Sequence, residues 1–149
     1  MTADDFEHDD RYRFDTPVRT QPDLESWWRN LIEPLGFSSG AWWALAIDPD
    51  DLPSKVLMEI RDDGVEPTPN QAAAVGAHLA QLTPAIPDGS RWALLRCRAG
   101  LGGASSADVE LAAALVTECR QSGIPTDVVH LATDDTLVPL TYDELAAAR

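Results

Sequence analysis

The chain has 149 residues, of which 44% are hydrophobic, and it carries a formal net charge of −14. This length suits one domain that buries roughly 68–70% of the surface exposed by its unfolded form. A chain this acidic repels phosphate groups, so nucleic acid and anionic membranes are poor candidate partners, whereas a basic protein partner is compatible with the charge. A homodimer is a further candidate.

No apolar run reaches the roughly 18 residues of a membrane span, and the acidic N-terminus lacks the features of a secretory signal. The two cysteines, Cys97 and Cys119, lie inside predicted elements rather than in a spaced disulfide framework. We therefore expect a cytoplasmic protein with two buried thiols.

Residues 1–21 carry acidic side chains without apolar periodicity, and we interpret them as a mobile tail before a single domain of residues 22–149. His8 stands beside Asp9 and Asp10, an arrangement that could hold a metal weakly. A solvated run of charges explains the same three residues more simply.

The first predicted helix begins at Pro22-Asp23 and ends at Pro34 and Gly36. Large apolar side chains recur along it at helical spacing, which places them on one face. Its two tryptophans could line a ligand groove, but packing on a sheet accounts for them as well. The apolar set is Leu24, Trp27, Trp28, Leu31, Ile32 and Leu35.

Two apolar runs, Ala41–Ile47 and Ser54–Ile60, predict the strands of an antiparallel hairpin. In the first strand, Trp42 and Trp43 should point to opposite faces, because successive side chains of a strand alternate.

Thr68-Pro-Asn-Gln71 predicts a capped helix start, and the helix that follows runs to about Leu82. Gly76 would allow another backbone to approach this helix closely. His78 lies alone among alanines and leucines, and a structural role suits it better than a catalytic one.

The stretch Arg91–Leu140 predicts a strand, a small-residue loop at Ala99–Ala104, a helix from Ser105-Ser-Ala-Asp108 to about Ser122, and two further strands. A short closing helix starts at Thr141. Altogether we expect one α/β domain, with a mixed sheet of the α+β kind flanked by helices.

The segment Cys97–Asp108 resembles the metal loop of JAB/MPN (JAMM) domains, most closely the RadC-like branch. Those domains end a strand with His-x-His-Pro-Ser-Gly and place an Asp in the first turn of the next helix. Here Cys97-Arg-Ala-Gly100 falls at the second His-Pro-Ser-Gly, and Ser105-Ser-Ala-Asp108 falls at Ser-x-x-Asp, with the family's interval from Cys97 to Asp108. The likeness covers roughly residues 41–140 and implies a cytidine-deaminase-like sheet flanked by helices.

In this register Leu95 and Cys97 occupy the two histidine positions, and Asp108 alone keeps a ligand type. A hydrolytic zinc site needs three protein ligands and a bound water, so this set is poor. Glu59 lies near the family's catalytic Glu but would have no metal-bound water to activate. The resemblance therefore implies a degenerate member without metal or cofactor, in which Ser105 and Asp108 cap a helix.

Two functions follow from different features. The first is a non-catalytic interaction or structural module, built on a JAB-like fold. The second is a binder of a small anion or nucleotide, because free amides at a helix N-terminus can cradle phosphate and arginines can clamp it. The residues of that second site are Arg96, Arg98, Gly100, Gly102 and Gly103. An enzyme with Cys97 as nucleophile is disfavoured, since no histidine is placed as its base.

Overall fold

A computed structural model of the chain describes residues 14–37 and 39–147. The elements are α1 (Gln21–Ile32), β1 (Ala41–Ile47), β2 (Pro53–Arg61), α2 (Pro69–Leu82), a short 3₁₀ helix (Thr83–Ala85), β3 (Arg91–Cys97), α3 (Ser106–Gln121), β4 (Thr126–Ala132), β5 (Leu137–Leu140) and α4 (Tyr142–Ala147). None of the helices in these two ranges combines the length and the apolar character that crossing a membrane requires.

The five strands form one mixed sheet in the order β2-β1-β3-β4-β5. Strands β3 and β4 are parallel and are joined through α3, while the other neighbours are antiparallel. The α/β class, the mixed sheet and the antiparallel hairpin predicted from the sequence are therefore confirmed. The sheet also places the carboxyl end of β3 beside the start of α3.

The two faces of the sheet build two separate cores, because side chains alternate along each strand. On one face Leu45, Leu95 and Cys97 pack under α1, which contributes both of its tryptophans. On the other face Trp42, Leu94 and further residues pack under α2, α3 and α4. Trp42 and Trp43 point to opposite faces as predicted, and Trp27 and Trp28 are core residues.

Each long helix begins with a reciprocal capping box, in which the cap side chain and the third helical side chain satisfy each other's backbone amides. The pairs are Thr20 with Asp23, Thr68 with Gln71, and Ser105 with Asp108.

Helix α1 ends at Ile32, earlier than predicted, because Glu33 adopts an extended backbone before Pro34.

Gly76 lies where α2 crosses α3. A Cβ atom at this position would stand 3.0 Å from the carbonyl oxygen of Leu115 and 3.0 Å from the Cβ of Glu118. The expectation that Gly76 permits a close approach of another backbone is confirmed.

The predicted tail boundary at residue 21 is wrong for the part of the tail that is described. Val18 is 2% exposed, and its amide donates to the carbonyl oxygen of Asp51 at 2.7 Å. Arg91 donates to the carbonyl oxygen of Val18, also at 2.7 Å. Phe14 also packs against Trp27, with ring centroids 5.9 Å apart. Two apolar side chains outside any regular element are too few to form a periodic pattern, so the sequence analysis missed them. Residues 1–13, including His8, lie outside the described residues.

Candidate functional site

Leu95 and Cys97, the two strand positions of the predicted degenerate site, lie on the α1 face of the sheet. Leu95 is fully buried and Cys97 is 1% exposed. Burial raises the pKa of the Cys97 thiol to about 12. A neutral thiol enclosed in a core is neither a good metal ligand nor a good nucleophile.

Asp108 lies on the opposite side of the sheet, at the first turn of α3. Its carboxylate accepts from the amide of Ser105 at 2.8 Å and from Nε of Arg98 at 2.8 and 2.9 Å. As ligands of one metal site, Asp108, Leu95 and Cys97 would have to face each other across the loop, as the resemblance implies. This expectation is wrong, because the sheet separates them. The capping role predicted for Ser105 and Asp108 is confirmed.

The pKa of Asp108 reflects two opposing influences. Burial raises it, but hydrogen bonds from Arg98 and Ser105 outweigh burial, and the pKa lies below the ordinary value of 3.8. Asp108 is therefore an ionised carboxylate committed to internal donors.

Glu59 lies on β2 directly opposite Trp43, which is itself opposite Leu95. Glu59 therefore belongs to the same face as Leu95 and Cys97, two strands away from them. Its carboxylate binds Nε of Arg61 at 2.8 Å. The structure thus divides the predicted set between two faces. Over residues 14–37 and 39–147, no three His, Cys, Asp or Glu residues are grouped as metal ligands would be.

The small-residue loop after β3 already holds carboxylates from its own chain. The amide of Gly100 donates to Asp134 at 2.8 Å, and the amide of Gly102 donates to Asp135 at 2.9 Å. The amide of Asp134 returns a bond to the carbonyl oxygen of Gly100 at 2.9 Å. The amides that would cradle a phosphate in the anion-binding hypothesis therefore bind the turn between β4 and β5. For Gly103 the structure shows a carbonyl that accepts from Arg98 at 3.2 Å.

The two arginines of the same hypothesis are also paired within the chain. Arg96 donates from both terminal nitrogens to Asp62, at 2.9 and 2.7 Å, and its side chain is 3% exposed. Its guanidinium lies over the Trp42 ring, 5.4 Å from the centroid. Arg98 is held by Asp108 and by the carbonyl oxygen of Ala99. Sequence reasoning missed Asp62, whose only signal was its position directly after β2.

An open groove with a mainly apolar lining lies between the end of β2 and helix α2. We call it the α2 groove; its volume is about 400 Å³. Val65, on the loop from β2 to α2, is 53% exposed beside it. Asp62, Asp63 and His78 also border the groove. Its apolar lining consists of Trp42, Ile60, Val65, Ala72, Val75 and Leu111.

A second cavity of about 390 Å³ adjoins the α2 groove and shares Asp62, Pro67 and Leu111 with it. We call it the acidic pocket, because four carboxylates line it against two guanidiniums. The carboxylates are those of Asp62, Glu66, Asp108 and Glu110, and the guanidiniums are those of Arg96 and Arg98. The excess of negative charge favours a cationic group there over an anion.

His130 is a buried polar residue that sequence reasoning passed over, because it lies within an apolar strand. It is fully buried under α1, with Nε2 3.3 Å from Oε1 of Glu25. Burial lowers the pKa of His130 in spite of that contact, so the neutral imidazole is favoured. The residue joins β4 to α1 and belongs to the packing of that face.

Comparison of the chain with protein-family models, with curated proteins and with solved structures finds no match.

Proposed function

We propose that this chain is a non-catalytic protein-interaction module and that the α2 groove is its docking surface. The observation that carries the proposal is the groove itself, an apolar floor between a strand end and a helix. Exposed apolar patches with polar rims are typical of protein-binding sites. The exposed Val65 side chain adds to this surface.

The groups at the end of β3 support a non-catalytic role because each one serves the fold. Cys97 is buried and neutral, and Asp108 is an ionised helix cap paired with Arg98. General acid–base and nucleophilic catalysis both need a side chain that can reach a substrate. Cys97 contacts core side chains instead, and Asp108 and Arg98 bind each other.

The charges around the groove indicate the chemistry of the partner. Arg61, Asp62 and Asp63 line the groove, and the acidic pocket, which adds the carboxylates of Glu66 and Glu110, continues the site towards α3. A protein segment that places a bulky apolar side chain in the groove and an adjacent Lys or Arg over the acidic pocket would match both surfaces. The net charge of −14 would also attract such a segment at long range.

The relation to JAB/MPN domains stays part of this proposal. It is supported by the order strand, glycine loop, capped helix and parallel strand. The separation of Asp108 from Leu95 and Cys97 weighs against the residue-by-residue register. The interaction proposal rests on the groove and does not depend on that relation.

Selection from a random peptide display library tests the proposal, because such a library assumes no particular partner sequence. The protein is immobilised, and enriched peptides are then measured against Ala74→Trp, which fills the groove from an exposed position on α2. Gln81→Trp is the matched control, because residue 81 is exposed on the same helix and lies outside the groove lining.

We expect enriched peptides that combine Lys or Arg with a neighbouring aromatic or aliphatic residue. Their binding should be lost in Ala74→Trp and retained in Gln81→Trp. Peptides that bind both variants equally well would move the docking surface elsewhere. A library that yields no binder would remove the proposal.

A further inference from the structure

Leu101 is a large apolar side chain that the fold presents to solvent. It lies in the glycine loop between β3 and α3 (residues 99–104) and is 76% exposed, compared with 53% for Val65 and 38% for Val56. Single exposed apolar side chains are common on protein surfaces, so exposure alone does not indicate a binding site. What distinguishes Leu101 is that the backbone on both sides of it is fixed.

The glycines that flank Leu101 are held by the turn between β4 and β5. Gly100 and Gly102 adopt positive φ angles of 105° and 87°, which residues with a side chain rarely take. The amide and the carbonyl of each glycine are hydrogen-bonded to that turn, at distances of 2.8 to 3.1 Å. A side chain on a loop fixed in this way loses less entropy on binding than one on a flexible loop.

Arg98 connects the glycine loop to the acidic pocket. Its guanidinium lines that pocket and donates to the carbonyl oxygens of Ala99 and Gly103, both at 3.2 Å, on either side of Leu101. The acidic pocket in turn shares Asp62 with the α2 groove. The α2 groove, the acidic pocket and the glycine loop therefore adjoin one another in that order.

We propose that Leu101 is a second apolar anchor for the segment that docks in the α2 groove. The inference rests on the proposed function and adds the order of side chains in the partner. That order is a bulky apolar residue in the groove, Lys or Arg over the acidic pocket, and a second apolar residue packed on Leu101. The carboxylates of Asp134 and Asp135, which bind the loop, also favour a basic segment.

Two other occupants match this surface less well. A second copy would bring a net charge of −14 to an acidic surface. Residues 1–13 carry five acidic side chains against two arginines, so charge disfavours them as well. The chain that follows them is anchored where Val18 binds Arg91, the first residue of β3, whereas the glycine loop follows the last residue of that strand.

A series of linked peptides tests the order of the anchors. Each peptide carries a tryptophan flanked by lysines, which a glycine-serine linker joins to a phenylalanine in one set and to a serine in the matched set. The linker is placed on either side of the tryptophan and in increasing lengths, because a flexible linker contributes most when its mean length matches the span. At the best length, the phenylalanine peptide should bind the full-length chain about tenfold more tightly than its serine mate. Isothermal titration calorimetry measures both affinities.

Leu101→Ser should abolish this gain and leave the affinity of the serine peptides unchanged. Val56→Thr is the matched control, because it alters an exposed apolar side chain on β2 that lines neither the α2 groove nor the acidic pocket. It should keep the gain. If the serine peptides bind but no linker length gives a gain, or if the gain survives Leu101→Ser, this inference is overturned and the proposed function stands. If none of the peptides binds, the proposed function fails and this inference fails with it.

The melting temperature of Leu101→Ser checks that the side chain is free to bind. It should equal that of the wild type, because an exposed side chain contributes little to the stability of the fold. A clear fall would show that Leu101 packs against another part of the chain, which would also overturn the inference.

Discussion

The guanidinium of Arg98 donates from Nε to both carboxylate oxygens of Asp108, at 2.8 and 2.9 Å. The bond joins the end of β3 to the first turn of α3 and leaves the side chain of Asp108 4% exposed. An acidic residue at this position would be a metal-ligand candidate from the sequence alone. In the folded chain it is an internal counter-ion and a helix cap.

Asp108→Ala should lower the free energy of unfolding by about 1.5–3 kcal/mol, the range for hydrogen bonds to charged groups. The substitution removes a helix cap and leaves Arg98 without its carboxylate partner. Urea denaturation monitored by circular dichroism measures the effect. Asp63→Asn is the control, since Asp63 is exposed and Asn tolerates its positive φ of 54°. Equal stability of Asp108→Ala and the wild type would contradict the assigned role.

Histidines introduced at the strand positions test where Asp108 lies. Leu95→His with Cys97→His recreates the His-x-His pattern on the α1 face. Because Asp108 is on the other face, any zinc affinity gained should be unchanged when Asp108→Ala is added. Competition with a chromogenic chelator measures the affinity. A tenfold or larger loss in the triple variant would restore the JAB-like register.

The local features of the fold were predictable, and the arrangement of the site was not. Capping boxes depend on residues three apart, so Ser105 and Asp108 could be identified from the sequence. The partners of Gly100 and Gly102 are 34 and 33 positions away along the chain. Pairing over such distances depends on how the turn between β4 and β5 folds back on the loop. No local pattern encodes it.

The same reason explains the misplaced Asp108. Because successive side chains of a strand point to opposite faces, the sequence correctly places Leu95 and Cys97 on one side of β3. It does not indicate on which side the chain continues after the glycine loop. The α2 groove was missed because its lining comes from β1, β2, the following loop, α2 and α3. Val65 gave no signal, since a single valine between turn residues is common.

The stability of the fold should fall in mild acid because of His130. The unfolded chain protonates this residue near its ordinary pKa of 6.5, while burial lowers the pKa in the folded chain. The contribution of neutral His130 to the stability of the fold is therefore fully present above pH 6.5. It falls as the pH drops towards the folded pKa, by about 1.4 kcal/mol per pH unit at most.

Chemical denaturation at a series of pH values measures this slope. His130→Asn should flatten the dependence between pH 6.5 and the folded pKa, although the variant is less stable overall. His78→Asn is the control, since that side chain is exposed, and it should keep the wild-type slope. A slope unaffected by His130→Asn would show that another group controls it.

Phosphate, sulfate and nucleotides should not raise the melting temperature of the wild type beyond a sodium chloride control of equal ionic strength. The amides of Gly100 and Gly102 are bound to Asp134 and Asp135, and Arg96 and Arg98 are paired. Asp134→Ala with Asp135→Ala releases both amides. That variant should melt lower and should gain stability from phosphate.

A thermal-shift series measures the melting temperatures of the wild type and of the double variant with each anion. If phosphate stabilises the wild type and Arg98→Ala abolishes the effect, the anion-binding alternative becomes the better account.

Titration of the ¹⁵N-labelled chain with a pair of defined peptides tests the interaction module most directly. Both peptides carry one tryptophan, flanked by lysines in one peptide and by glutamates in the other. The account predicts saturable amide shifts around Val65, Ala72 and Val75 with the lysine peptide alone, and none in Ala74→Trp. Equal shifts with both peptides, shifts outside the α2 groove, or no binding would contradict it.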